Sequence, residues 1–171
     1  MTDPAFPDTA LATFSRCYPE QPCQLTHAMD SHPLLSLEPL IGLAMRLDPA
    51  HVEYNPAILP IGIRPEDVPA PTLSIADTIK SIEENGSWMV LKFIENDPAY
   101  KALLEETLSG LRAVVEPKTG KMLTLQGFIF ISSPKAVTPF HFDPAHNILL
   151  QIRGRKFFHL LPHEDEAVVP P

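Results

Sequence analysis

The segment TPFHFDPAHNILLQIRGRK, residues 138–156, holds the side chains of this 171-residue chain best suited to chemistry. His141 and Asp143 are two positions apart, and in a β-strand such side chains project to the same face. An imidazole nitrogen and a carboxylate oxygen on one rigid strand are two of the three ligands of a facial triad for Fe(II). The residues alone leave an alternative, in which His141 is a structural histidine and Asp143 its hydrogen-bond partner.

The surroundings of this pair resemble those in the JmjC and cupin-like Fe(II)/2-oxoglutarate-dependent oxygenases, especially the branch that contains an asparaginyl hydroxylase. The matching residues are TP-x-H-x-D at 138–143, Asn147, QI-x-G-x-K at 151–156 and the apolar run that ends at Pro162. The segment NGSWMVLKFIENDPAY at 85–100 is similar to the one that precedes the barrel in bacterial cupin-like proteins.

The resemblance implies a role for each matching residue. His141 and Asp143 would bind Fe(II). Lys156 and Thr138 would hold the distal carboxylate of the co-substrate 2-oxoglutarate, and a compact ammonium suits that task. Asn147 would lie near the co-substrate. The implied activity is the hydroxylation of a C–H bond in a small-molecule or protein substrate that the sequence does not identify.

The resemblance also implies a second histidine ligand on a downstream strand and about eight strands to close the barrel. Only about four strands are predicted from residue 121 onward, and the other histidines do not suit the role. His146 is predicted in a turn, His159 is predicted to point away from the pocket as a packed or edge histidine, and His163 is predicted to be solvated. The remaining histidines are predicted to be surface residues of Pro-rich loops: His27, His32 and His51.

Three explanations for the missing ligand stay open. The chain is a fragment of a longer oxygenase, or it is a shortened relative whose open sheet edges pair with another chain, including a second copy. In the third explanation it has lost the full metal site and serves as a non-catalytic binding or oligomerisation module.

The predicted fold class is α+β, with a helical N-terminal region followed by part of a double-stranded β-helix, the jelly-roll of cupins. Residues 1–33 are predicted to form an irregular Pro-rich arm, 34–120 a helical region with one strand, and 121–171 the first half of the jelly-roll. Residues 48–72 are also rich in proline and are predicted to wrap a surface as a loop.

Local signals place the elements within this scheme. Helices are predicted to start at Ser36, at Ser74 and at Asp97-Pro98, with a stop at Asn85-Gly86 after the second. The run SWMVLKFIE at 87–95 predicts a strand. Further strands are predicted in MLTLQGFIFISS, AVTPFHFD, NILLQIR and KFFHLLP, and a set of aromatic residues is predicted to lie in the core: Trp88, Phe128, Phe130, Phe157 and Phe158.

Charge and composition exclude several classes of function. The net charge is -8, with six Lys/Arg against sixteen Asp/Glu in residues 1–109 and seven against two in 110–161. An acidic chain does not suit nucleic-acid binding. No signal peptide or long apolar run predicts secretion or a membrane span. The two cysteines, Cys17 and Cys23, fit no zinc pattern and are predicted to be free thiols in the cytoplasm.

Overall fold

The computed structural model describes residues 4–56, 63–64, 67–138, 141, 143 and 145–161. One antiparallel sheet has the order β1-β2-β3, and none of the helices described is long and apolar enough to cross a lipid bilayer. The strands are β1 (Val52–Pro56), β2 (Ser87–Leu91) and β3 (Ile129–Ser132). The α-helices are α1 (Asp8–Cys17), α2 (Leu37–Arg46), α3 (Ile75–Lys80), α4 (Pro98–Ser109) and α5 (Arg112–Thr119).

Strand β2 is central because its residues are apolar on both faces. Met89, Val90 and Leu91 are all buried, as expected for a strand that has a neighbour on each edge and is covered on both faces. Met89 pairs with Tyr54 on one side and with Ile131 on the other. The strand predicted at 87–95 is therefore confirmed over its first five residues.

The predicted helix starts are confirmed. Ser36 is the N-cap of α2, and the Ser74 hydroxyl accepts a hydrogen bond from the Asp77 amide at the start of α3. The Asp97 carboxylate accepts hydrogen bonds from the amides of Ala99 and Tyr100 at the start of α4. Such caps satisfy backbone N–H groups that have no partner inside the helix.

Two apolar clusters hold these elements together. The first core joins α2, α3, α4 and the sheet around fully buried side chains such as Leu43, Ile79 and Met89. The second core joins α1 to α5 through Phe14 and Leu111. Leu150 and Ile152, in the later segment 147–156, also pack against these cores.

The N-terminal part contains more regular structure than the sequence predicted. The prediction of an irregular arm is wrong for residues 8–17, which form α1 because Ala10 and Phe14, four residues apart, face α5. The prediction of a loop is wrong for 52–56, which form β1 because β2 supplies an antiparallel partner. Prolines flank both elements but do not lie in their hydrogen-bonded interiors. Pro56 is the one proline inside either element, and it is the last residue of β1.

The C-terminal part contains less regular structure than predicted. MLTLQGFIFISS forms a strand only over 129–132, and no residue from 145 to 161 lies in a strand. The prediction of strands in NILLQIR and KFFHLLP is therefore wrong for these described residues. A strand needs a neighbour for its backbone N–H and C=O groups, and none of the described residues forms one beside them. AVTPFHFD falls partly outside the described residues.

The aromatic core prediction is wrong for the four phenylalanines. Phe157 is 92% exposed, and Phe128, Phe130 and Phe158 are also exposed. Trp88 is half-buried and packs against Phe130, with 6.1 Å between the ring centroids. Apolar side chains need a second layer of structure to be buried, and the described residues provide none over this face.

Candidate metal and co-substrate site

His141 and Asp143 come together as their spacing predicted. The His141 Nε2 atom lies 3.6 Å from the Asp143 Oδ2 atom, and the two side chains are 57% and 50% exposed. Metal–nitrogen and metal–oxygen bonds of about 2.1 Å place two such ligand atoms roughly 3 Å apart at an octahedral angle. The observed separation is thus close to that of two ligands sharing one ion, and the same geometry also allows an ion pair when the imidazole is protonated.

Asn147 contacts the same carboxylate oxygen of Asp143 as His141 does. Its Nδ2 atom donates a hydrogen bond of 2.9 Å to Asp143 Oδ2. Carboxylates that bind metals are commonly held by such outer hydrogen bonds, which fix their orientation. The sequence placed Asn147 near the co-substrate, and the structure places its amide against a predicted metal ligand.

The segment that carries Lys156 is anchored through alternate side chains. Leu150 and Ile152 are partly buried and pack against the first core, and Leu150 also reaches the second. The i, i+2 spacing indicates an extended backbone with one face turned inward. Gly154 then turns with φ of +76°, a conformation that favours glycine.

Lys156 lies over two exposed aromatic rings. Its Nζ atom is 6.0 Å from the centroid of Phe130 on β3 and 5.8 Å from that of Phe158. These distances are within the range of a cation–π contact. The ammonium is thereby held beside the edge strand of the sheet, and Thr138, the other predicted carboxylate contact, is also exposed.

None of the other described histidines completes the pair. His146 packs against Tyr18, with ring centroids 5.3 Å apart. His159 is exposed, which excludes the packed alternative of its prediction but not the edge alternative. His163 falls outside the described residues. Within the part of the chain that the structure describes, no three His, Cys, Asp or Glu side chains are grouped as a metal site. The chemistry of the His141–Asp143 pair fits Fe(II) as two of its ligands.

A second polar region went unnoticed in the sequence. A cleft of about 430 Å³ is bordered by the end of α2 and the start of α4, and its lining includes Arg46, Asp48, His51 and Asp97. His51, predicted to be a surface residue, is half-buried, and its ring lies 5.0 Å from that of Phe93. Its Nδ1 atom is buried and lacks a hydrogen-bond partner among the described residues. The features of the sequence that could have indicated this cleft are its two Asp-Pro pairs, Asp48-Pro49 and Asp97-Pro98.

Asp97 is the most strongly held charge in this cleft. The Arg46 Nε and Nη2 atoms lie 2.8 and 2.7 Å from Asp97 Oδ2. Burial by itself would raise the pKa of the Asp97 carboxyl, but hydrogen bonds from Arg46 and from the amides of Ala99 and Tyr100 hold the pKa below its usual value. The cleft is thus built around a structural ion pair that joins α2 to α4.

Comparison with known proteins supports the prediction of a cupin-like domain in the later part of the chain. The model of the family described as "cupin-like domain" matches residues 74–170, which is more than half of the sequence. The matched range includes β2, β3 and the whole segment 138–156. Neither the curated proteins nor the solved structures contain a match.

Proposed function

This chain belongs to the cupin-like domain family, and from that premise we propose that it is an Fe(II)/2-oxoglutarate-dependent oxygenase of the asparaginyl-hydroxylase-like branch. The proposed reaction is hydroxylation of a C–H bond, and the proposed location is the cytoplasm. The observation that carries the proposal is the approach of His141 Nε2 to Asp143 Oδ2 within 3.6 Å, inside the range that the family model matches.

Each residue of the pair would contribute a different property to the metal site. The neutral His141 imidazole would donate a nitrogen lone pair, and the Asp143 carboxylate would offset part of the ion's charge. Asn147, which donates to Asp143 Oδ2, would keep that carboxylate oriented toward the ion. When bound, Fe(II) would supply the activation of oxygen that is coupled to decarboxylation of 2-oxoglutarate.

Lys156 would hold the far end of the co-substrate. Two aromatic rings flank its ammonium, which limits the directions in which the side chain can point. A dianion that chelates the ion through one end needs a cation for its distal carboxylate. We further propose that the third protein ligand comes from outside the described residues, since none of them completes a group of three.

The proposal is tested by an anaerobic titration of metal-stripped, folded protein with Fe(II) and then with 2-oxoglutarate. The expected result is a visible charge-transfer band when the 2-oxo acid chelates the bound ion. Succinate, which lacks the 2-oxo group, should give no band, and a His146→Ala variant should keep it because His146 packs against Tyr18. If folded protein binds Fe(II) but gives no band with 2-oxoglutarate, or binds no Fe(II), the proposal is wrong.

Replacing Lys156 by methionine is expected to weaken 2-oxoglutarate binding about 10-fold, the loss of one partly exposed charge-assisted contact. Methionine keeps an apolar stem over Phe130 and Phe158 while removing the charge. The affinity for Fe(II) alone should not change. Isothermal titration of the Fe(II)-loaded protein measures the effect, and Arg155→Met serves as the control for a general loss of positive charge. Equal weakening in both variants would remove Lys156 from its proposed role.

A second candidate function is a non-catalytic binding or oligomerisation module on the same fold. The observation that favours it is the exposure of large apolar side chains along 123–161, among them Leu123, Val137, Phe157 and Leu160. An unusual number of exposed large apolar side chains in one part of a chain is a feature of segments that contact another protein. The module is favoured if the protein stays folded without metal and forms a stable oligomer in light scattering. The same protein should then give no charge-transfer band on titration with Fe(II) and 2-oxoglutarate.

A further inference from the structure

The cleft between the end of α2 and the start of α4 contains a histidine that is fixed in place but not fully hydrogen-bonded. The His51 amide donates a hydrogen bond of 2.8 Å to the Asp48 carbonyl oxygen, and the His51 carbonyl oxygen accepts one of 2.8 Å from the Lys92 amide. Both backbone groups are therefore occupied. The buried Nδ1 atom of the ring, in contrast, has no partner among the described residues, which is rare for a buried polar atom.

The ring of His51 is held by an aromatic contact that requires an unfavourable backbone conformation. Phe93 has φ of +54° and ψ of +50°, in the left-handed region that bulky side chains seldom occupy. Its ring centroid lies 5.0 Å from that of His51 and 5.3 Å from that of Phe128. Strain of this kind persists where the surrounding structure fixes it, and it is concentrated at functional sites. The cleft thus presents a His51 ring whose orientation is set in advance.

The polar side chains of the cleft offer both donors and an acceptor. Arg46 uses its Nε and Nη2 atoms for Asp97 Oδ2, which leaves the N–H groups of Nη1 outside that ion pair. Orphaned N–H groups are rarer in proteins than under-used acceptors, so Nδ1 of His51 is the unprotonated nitrogen and Nε2 carries the N–H group. Asp48 supplies the acceptor, because its Oδ1 atom caps the Ala50 amide and Oδ2 is outside that bond.

The charges that line the cleft disfavour a simple anion or a simple cation. The Arg46 and Asp97 charges offset each other at 2.7 Å, and the Asp48 carboxylate, which also lines the cleft, is not balanced in this way. A ligand with only a carboxylate would meet the Asp48 charge. A ligand with only an ammonium would leave the donors of Arg46 and His51 unused. A molecule that carries both groups satisfies both sets of side chains.

We propose that this cleft binds a free α-amino acid in its zwitterionic form. The carboxylate of the amino acid accepts hydrogen bonds from the Arg46 guanidinium and the His51 ring, and the ammonium pairs with the Asp48 carboxylate. Hydrogen bonds in which donor and acceptor are both charged are the stronger kind, and they fix the orientation of a small ligand.

The rest of the cleft suits an aliphatic side chain. Leu47 and Pro98 provide the apolar part of the lining, and the volume of about 430 Å³ lies within the range of small-molecule sites. The cleft shares no residue with the His141–Asp143 pair. The inference therefore goes beyond the proposed oxygenase activity and does not depend on it.

The test is a titration of the folded, metal-free 171-residue chain with L-leucine, measured by saturation-transfer-difference NMR. The controls are two probes with the same aliphatic group: isocaproate, which lacks the ammonium, and isoamylamine, which lacks the carboxylate. L-Leucine should bind with a dissociation constant below about 1 mM, and each control at least about 10-fold more weakly. Weaker or absent binding of L-leucine, or binding of a control within that margin, would overturn the proposal.

Replacing Asp48 by asparagine tests whether the ligand lies in this cleft. Asparagine keeps an oxygen that can cap the Ala50 amide but removes the charge that faces the ligand's ammonium. L-Leucine binding should weaken about 10-fold. Asp67→Asn, which removes an exposed carboxylate outside the cleft, should bind L-leucine as the wild type does. An equal effect of the two substitutions would refute the assignment to this cleft.

Replacing His51 by phenylalanine separates a binding role from a structural one. Phenylalanine keeps a ring against Phe93 and removes both nitrogens, so L-leucine binding should weaken about 10-fold. Because the substitution also removes a buried atom without a partner, the variant should melt at or above the temperature of the wild type. Unchanged affinity would remove His51 from the site. A lower melting temperature would show that the ring nitrogens already serve the fold, and the proposal would lose its basis.

Discussion

Replacement of Asp143 by alanine is expected to weaken Fe(II) binding at least about 100-fold. Residues that only hydrogen-bond to a metal ligand cost up to about 100-fold in metal affinity when mutated, and loss of a ligand itself should cost at least as much. Asp143 would provide the single negative charge of the proposed site, and its loss leaves His141 as the only ligand among the residues described. The band with 2-oxoglutarate should disappear. Because the Asp143 side chain is half exposed, the fold should be unaffected, which circular dichroism can check.

Two variants separate a ligand from a neighbour of a ligand. Asn147→Ala removes the hydrogen bond to Asp143 Oδ2 and should weaken Fe(II) binding about 10-fold, as expected for an orienting residue. His146→Ala should bind Fe(II) as the wild type does. If Asp143→Ala binds Fe(II) with wild-type affinity, the His141–Asp143 contact is a surface ion pair and the second candidate function is favoured.

The contact between His141 and Asp143 could be predicted from the sequence because its geometry is local. Two side chains at i and i+2 on an extended backbone need no information from the rest of the fold, and His141 and Asp143 meet as predicted. Helix starts are local in the same sense, because Ser74 and Asp97 satisfy backbone amides within the next three residues. The sequence therefore indicated the His141–Asp143 contact and the helix starts correctly.

Features that depend on distant partners could not be predicted in this way. Strand β1 exists because β2, more than thirty residues later, pairs with it, and no local signal in VEYNP states this. The same dependence explains the opposite error at 147–153, where a strand-like sequence has no neighbouring strand among the residues that the structure describes. Phe157 and Phe158 have the composition of a core, but no layer within the described part of the chain covers them.

The importance of Asp97 likewise became visible only with the fold, because its partner Arg46 is fifty-one residues away. Asp97 was predicted as a helix cap, which it is. The additional ion pair places the same carboxylate between two helices, where the structure buries all but 8% of it. A residue with both functions should matter more to stability than a cap alone.

Asp97→Ala is therefore expected to lower the free energy of unfolding by about 2–3 kcal/mol. Loss of the cap contributes about 1 kcal/mol, and loss of the buried charge-assisted contact contributes about 1–2 kcal/mol, reduced because the Arg46 side chain is 56% exposed. Asp97→Asn keeps the cap and should cost about 1 kcal/mol. Urea denaturation at neutral pH measures both values.

The difference between the wild type and Asp97→Asn should depend on pH. The pKa of the Asp97 carboxyl is lowered in the folded protein, so the unfolded chain binds the proton more readily than the folded one in acid. The stabilisation is then fully present above the unfolded pKa of about 3.9 and is lost as the pH falls through the lower, folded pKa. Denaturation curves at several pH values should show the two proteins converging only in strong acid.

The matched control is Asp67→Asn, which removes a carboxylate from an exposed pair. Asp67 lies 2.8 Å from Arg64, three residues earlier in the chain, and both side chains are at least half exposed. Such pairs contribute less than about 1 kcal/mol because water and salt screen them. Equal destabilisation by Asp67→Asn and Asp97→Asn would mean that burial of the Arg46–Asp97 pair adds nothing, and that Asp97 stabilises the fold only as a helix cap.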